Sequence, residues 1–228
     1  MTSPQTVPIG TGLTEIRERT RAYYNAVGSR YFELFKDELA QKTDDRALLT
    51  RFSELLGLKA ELCDAGCGPC GHVTRFLADQ GLHVTGVDLS DRCIDLARAA
   101  QPELTFRVMD MARMDFGSGS LDGLVAYYSI LYTPKAHLPT LFQEFHRVLK
   151  PRGKLLVVVE EGDGEGWIPD PMGTGEPTYW VDFREPELRS ILESNGFHSL
   201  YSAVRDPYHF EIQVRRISVI AETIAYPV

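Results

Sequence analysis

The stretch Glu61-Leu62-Cys63-Asp64-Ala65-Gly66-Cys67-Gly68-Pro69-Cys70-Gly71-His72 constrains this chain more than any other. A short apolar run ends in an acid, passes through a glycine loop and opens a helical pattern. His83-Val84-Thr85-Gly86-Val87-Asp88 then makes a second apolar run that ends in another acid. That order predicts a strand–loop–helix–strand unit able to hold a nucleoside. Gly66 and Gly68 let the backbone turn tightly and approach a ligand with no Cβ in the way. Gly71 lets the following helix pack closely on the strand. Asp88, at the carboxyl end of the second strand, is placed to accept both hydroxyls of a ribose.

Three ligands are compatible with this loop. Gly66-x-Gly68-x-x-Gly71 is formally a dinucleotide fingerprint. Asp64, however, stands two residues before the first glycine, where a dinucleotide site keeps a buried apolar residue; a carboxylate is costly to bury there without partners and belongs at a ligand mouth. Cys63-x-x-x-Cys67-x-x-Cys70 has the spacing with which radical enzymes hold an iron–sulfur cluster. Cys63 nevertheless falls in the apolar strand, Cys67 and Cys70 fall in the glycine turn, and the chain is short for the barrel that such chemistry uses. Inert buried thiols are the plainer reading, with no metal. The third ligand is S-adenosylmethionine.

Later segments favour the third. The end of the third strand reads Val108-Met109-Asp110-Met111, the fourth strand is Leu121 to Tyr128 followed by Ser129-Ile130-Leu131-Tyr132, and the fifth is announced by Arg147 to Gly153 and runs through Lys154 to Glu160. With the acid-x-Gly-x-Gly loop at Asp64 to Gly68 and the acid at Asp88, residues from about 20 to 224 resemble a class I S-adenosylmethionine-dependent methyltransferase of the small-molecule, bacterial type. The resemblance implies an α/β, Rossmann-like, seven-stranded and mostly parallel sheet of order 3-2-1-4-5-7-6, with strand 7 antiparallel, helices on both faces and an N-terminal helical cap. It implies a cofactor site at Asp64, Gly66, Cys67, Gly68, Gly71, Asp88, Leu89, Asp110, Met111 and Tyr127, with Asp110 against the adenine amino group. Tyr24 and Tyr31 would fold over the methionine end from the N-terminal helix. The third glycine comes one residue later than in the commonest form of the loop, and Tyr132 stands where many relatives carry a histidine.

Composition fits one soluble α/β domain: 228 residues, 43% hydrophobic and 10% aromatic, suffice for a core. A net charge of −8 lacks the basic footprint of a nucleic-acid binder. No apolar stretch approaches the ~20 residues of a membrane span, and Met1 to Gly10 has no secretory pattern. Three of the four cysteines crowd into the ligand loop, which argues against a disulfide framework and for the cytoplasm. The expected partner is a small-molecule acceptor, with no nucleic acid and no membrane; monomer and homodimer both stay open.

Along the single domain, residues 1–13 read as a flexible arm, 14–56 as a helical cap and 57–160 as the cofactor-binding core. Residues 161–177 are too rich in glycine and proline for regular structure and read as an active-site loop; residues 178–228 hold a helix and terminal strands. Ser90 reads as the N-cap of the helix after the second strand. The acceptor is expected above strands 4 and 5, walled by Tyr128, Trp167, Tyr179, Trp180 and Tyr208. Tyr24, Tyr132 and His209 are the catalytic candidates. Each has a plainer alternative: Tyr24 and Tyr31 as a stripe packing a helix on the core, His209 as a strand or surface residue. Because side chains alternate along a strand, at most one of Tyr127 and Tyr128 is expected to line the site. His72 reads as a loop hydrogen-bonder and Arg215-Arg216 as salt-bridge formers. Glu160, Glu161, Asp163 and Glu165 are either a solvated acidic loop or a mouth favouring neutral or cationic acceptors. Two rival functions share the loop: an NAD-dependent oxidoreductase, and a cofactor-binding protein that does not methylate.

Overall fold

The computed structural model describes residues 12–169, 171–173 and 177–224. The core is built from runs that are apolar on both faces. In β1 (Glu61–Ala65) every residue after Glu61 is buried, and β4 (Leu121–Tyr127) is nearly as closed. Such strands suit a parallel sheet covered on both sides. With β2 (His83–Asp88), β3 (Thr105–Val108), β5 (Leu149–Glu160), β8 (Phe197–Arg205) and β9 (Arg216–Thr223) they form one seven-stranded sheet, ordered β3-β2-β1-β4-β5-β9-β8. Counting only these strands, the order is the expected 3-2-1-4-5-7-6. The last strand of the chain, β9, runs antiparallel to both β5 and β8, and the remaining pairs are parallel.

Helices cover both faces. On one, α6 (Leu138–Val148) and α7 (Glu185–Ser194) bring Phe142, Phe145, Leu188 and Leu192 against Leu124 and Val157. On the other, α3 (Thr43–Leu56) and α4 (His72–Asp79) bring Leu49, Phe52 and Leu77 against Val125, Leu156 and Ile220. The N-terminal region is helical as expected, with α1 (Leu13–Phe35) and the single-turn α2 (Glu38–Gln41) preceding α3. The arm expected at 1–13 lies outside the described residues up to position 11, and Leu13 already belongs to α1. Helix α5 (Asp91–Ala100) starts at Ser90, whose hydroxyl accepts from the Cys93 amide at 3.0 Å, as the sequence requires.

The segment 161–177 departs from expectation. Glu165–Ile168 is a strand, β6, paired antiparallel with β7 (Thr178–Val181). Gly166 takes part in the ladder opposite Trp180; Trp167 is buried opposite Tyr179, and Glu165, two residues earlier and so on the same face of the strand, is exposed. Residues 170 and 174–176 of this segment lie outside the described residues.

Candidate active site

The carboxyl ends of β1, β2, β3 and β4 open into a cleft roofed by α1. This is the crevice where open α/β sheets bind ligands. Its floor is the glycine loop. Gly66 has φ +82°, and a Cβ on it would stand 2.3 Å from Ser129 Cβ, so only glycine lets the loop pass beneath the end of β4. Gly68, φ +62°, has nothing within 4 Å of its would-be Cβ, which leaves its backbone bare toward the cleft. Gly71 does not line the cleft. It caps α4 in left-handed conformation, and a Cβ there would meet Phe106 at 2.7 Å, so its service is packing against β3 rather than ligand contact.

Three carboxylates edge the cleft at successive strand ends. Asp64 is only 1% exposed and accepts the Thr74 hydroxyl at 2.6 Å; burial pushes its carboxyl up to about 7, opposed by Thr74 and helped by the nearby Asp88 charge. Asp88 accepts the amides of Gly68 at 3.0 Å and Ser90 at 2.8 Å. Burial raises it to about 6, against the pull of those two amides and that of Leu89. Asp110 accepts the Ala112 amide at 2.9 Å and pairs with Arg17 of α1 at 3.3 Å. Cys67, Leu89 and Met111 complete this side. Cys63 is sealed in the core, and all four thiols are buried and free. Among the described residues no three His, Cys, Asp or Glu side chains are arranged to hold a metal ion.

The roof is aromatic. Tyr24 and Tyr31 of α1 both line the cleft, and the Tyr24 hydroxyl donates to that of Tyr132. Burial raises both hydroxyls of that pair far above neutrality, with each tyrosine also acting on the other, so both stay protonated. Helix α1 is anchored by Asn25 Oδ1, which accepts the Ser90 hydroxyl at 2.6 Å. Tyr127 and Tyr128 both line the cleft, contrary to the alternation expected of a strand. Tyr128 adopts a left-handed backbone, φ +55°, which ends the alternation and brings the two rings to 4.5 Å. The Tyr127 hydroxyl donates to Asp45 at 2.6 Å and is therefore tied to α3.

Several expected acceptor-site residues lie elsewhere. Trp180 packs edge-on against Tyr132, behind the cleft wall, and donates to Asp182 at 2.9 Å. Trp167 and Tyr179 pack on each other in the β6–β7 hairpin, where Arg19 covers Trp167. Tyr208 accepts the Asp44 amide at 2.7 Å and stacks on Phe210, and His209 packs on the other edge of that ring; neither lines the cleft. None of the four acidic residues lines the cleft: Glu160 and Glu161 are partly buried, and Asp163 and Glu165 are exposed, as a solvated loop would have them. Glu160 pairs with Arg216 at 3.2 Å, Glu161 with Arg215 at 2.6 Å, Asp163 with Arg184, and Glu165 accepts Tyr179 at 3.0 Å. The arginine pair thus makes the salt bridges its sequence suggested.

Arg17, Thr20 and Arg21 line the cleft beside Tyr24 and were missed. Their i, i+3, i+4, i+7 spacing on one helix face was the available signal. Glu38 also lines it, and no sequence pattern marks a single-turn helix such as α2.

Residues 62–153 match the family model for a methyltransferase domain. An S-adenosyl-L-methionine-dependent Diels-Alderase of Talaromyces variabilis is 32% identical over 183 residues, which is 69% of this chain and 61% of that protein. The N-demethylindolmycin N-methyltransferase of Streptomyces griseus is 30% identical over 65% of each chain. Across the curated relatives compared, the match spans 28% to 66% of their length. The crystal structure of Burkholderia thailandensis 1,6-didemethyltoxoflavin-N1-methyltransferase, with 1,6-didemethyltoxoflavin and S-adenosylhomocysteine bound, superposes with a TM-score of 0.76, 22% identity, and coverage of 97% of this chain and 94% of that one. Strand order, glycine loop and domain match agree: residues 62–153 carry a methyltransferase domain, and the fold is that of the class I S-adenosylmethionine-dependent methyltransferases.

Proposed function

We propose that this chain transfers a methyl group from S-adenosylmethionine to an O, N or S atom of a small-molecule acceptor. The observation that carries the reading is the row of strand-end acids, Asp64, Asp88 and Asp110, around a loop whose backbone is bare at Gly68. The donor set fits the cofactor: Asp88 keeps lone pairs for two ribose hydroxyls, Asp110 for an exocyclic amine, and the Asp64 side for positive charge. The cofactor supplies a methyl carbon on a sulfonium, already activated for in-line displacement. What remains for the protein is alignment and exclusion of water, worth up to ~7–11 kcal/mol. Tyr24 and Tyr132, held neutral, act as wall and hydrogen-bond partners rather than as bases. The acceptor enters between them and Tyr128. His209 has no part in this arrangement.

Among the described residues no helix is long and apolar enough to cross a membrane. The reading is completed by a cytoplasmic site of action and by a monomer or homodimer. An NAD-dependent oxidoreductase is disfavoured by Asp64 and by the methyltransferase domain match. A second reading is favoured by one relative, the Diels-Alderase, whose name couples the same cofactor to a cycloaddition. Incubation with S-adenosylmethionine and a panel of amines, phenols, thiols and carboxylic acids tests the first reading, which expects stoichiometric S-adenosylhomocysteine and methylated product. Conversion of a diene–dienophile substrate, cofactor-dependent but with no S-adenosylhomocysteine released, would instead establish the second.

A further inference from the structure

The inner end of the cleft carries an unbalanced charge. Glu38 and His72 both line it, from α2 and from the first turn of α4. Glu38 pairs with Lys42 at 2.9 Å, and the same ammonium lies 3.0 Å from Glu211. The Lys42 and Glu211 side chains are each only 5% exposed. Glu211 grips Arg205 at 2.8 and 2.9 Å, and Arg205 reaches Asp45 at 2.9 Å. Along this chain Glu38, Glu211 and Asp45 share Lys42 and Arg205, so the carboxylates outnumber the cations by one. Burial would lift the Glu211 carboxyl, but hydrogen bonds from Arg205, the Tyr208 amide and Lys42 bring it down to about 2. Both cations are therefore spoken for deep in the network, and Glu38 alone of the three acids faces the cleft. A carboxylate removed from water without a full counter-charge is costly, so this end of the cleft favours an incoming cation.

Geometry specifies the cation further. Glu38 Oε1 and His72 Nε2 stand 3.7 Å apart, too far for a hydrogen bond between them. One nitrogen bearing two or more hydrogens can donate to both at ~2.9 Å. His72 is fitted to accept: burial, helped by Lys42, drives its imidazole down to about 4, so it is neutral at physiological pH. Nδ1 is buried with no hydrogen-bond partner, and in the tautomer that carries its proton there the Nε2 lone pair is left on the Glu38 side for an N–H donor.

Resting on the S-adenosylmethionine reading, we propose that Glu38 and His72 form a recognition site for an ammonium group, supplied either by the amino-acid end of the cofactor or by an amine acceptor. Calorimetry on the full chain separates the two sources. S-adenosylhomocysteine carries the ammonium, whereas 5′-methylthioadenosine carries the same nucleoside thioether without it. If the cofactor supplies the group, Glu38→Gln weakens S-adenosylhomocysteine at least tenfold and leaves 5′-methylthioadenosine within twofold, which also reports a sound fold. If an acceptor supplies it, S-adenosylhomocysteine binding is unchanged, and the loaded protein binds phenethylamine over 2-phenylethanol, a preference that Glu38→Gln abolishes. His72→Phe reproduces the loss in either case and does not disturb the Lys42 pair. Equal binding of all probes by wild type and both variants overturns the proposal, as does a parallel loss of both nucleosides. A wild-type protein that binds neither nucleoside brings down the cofactor reading itself, and the ammonium site with it.

Discussion

Alanine at Gly66 and at Gly68 should separate the structural glycine of the loop from the ligand-facing one. Both residues have positive φ, +82° and +62°, so alanine pays the left-handed penalty of ~1–2 kcal/mol at either. At Gly66 the new methyl also lands 2.3 Å from Ser129 Cβ and 3.1 Å from its Oγ. The end of β4 must move to admit it, an overpacking cost of ~1–3 kcal/mol. Gly66→Ala is thus expected to lose roughly 2–5 kcal/mol and Gly68→Ala only ~1–2 kcal/mol. Urea unfolding of the ligand-free proteins, at unchanged slope, reads the difference directly. The ranking should invert for ligand: Gly68 lines the cleft and has open space around its would-be Cβ, so Gly68→Ala is expected to weaken S-adenosylhomocysteine more than Gly66→Ala does. Equal stabilities, within ~0.5 kcal/mol, would refute the close approach of the loop to Ser129.

Asp88→Ala should weaken S-adenosylhomocysteine by ~1–3 kcal/mol, the range for hydrogen bonds to a charged group, as measured by calorimetry; unchanged affinity in a folded variant would assign the ribose to another residue. Asp64 has a carboxyl raised to about 7 by burial, so the folded protein holds its proton more tightly than the unfolded chain. The stability this contributes is full below pH ~4 and is lost as pH rises through 7. Relative to Asp64→Asn, wild type should therefore lose roughly 2–4 kcal/mol between pH 4 and 8 in ligand-free unfolding, and a gain would reverse the assignment. Tyr24→Phe and Tyr132→Phe should each cost ~0.5–1.5 kcal/mol, and the double variant little more than either, because each removes the same hydrogen bond. Additive losses in unfolding experiments would mean the hydroxyls act separately.

The fold was legible because its information is local. Leu62 to Ala65 and Leu121 to Tyr127 are apolar on both faces, and the acids that end successive strands mark where ligands gather. That Asp64, Gly66, Gly68, Asp88 and Asp110 line one cleft was legible for the same reason, since glycines and acids have fixed stations on a strand–loop–helix unit. That Tyr127 and Tyr128 both line the cleft escaped because the alternation rule presumes extended backbone, and Tyr128 is left-handed. Trp167 and Tyr179 suggested an acceptor wall, yet aromatic residues in a glycine-rich segment served equally well to knit a hairpin. Arg17, at helical spacing from Tyr24, was readable and overlooked. Glu38 was not readable: its place at the cleft depends on a one-turn helix and on Lys42 meeting Glu211, residues far apart in sequence.

Titration of the ligand-free chain with S-adenosylhomocysteine and with NAD in parallel tests the central claim most directly. Asp64 before the glycines, and Asp88 and Asp110 at the ends of the next two strands, where ribose and adenine are proposed to lie, all favour the first ligand. The account predicts saturable one-to-one binding of S-adenosylhomocysteine in the micromolar range and little or none of NAD. Saturable NAD binding with no response to S-adenosylhomocysteine would contradict it.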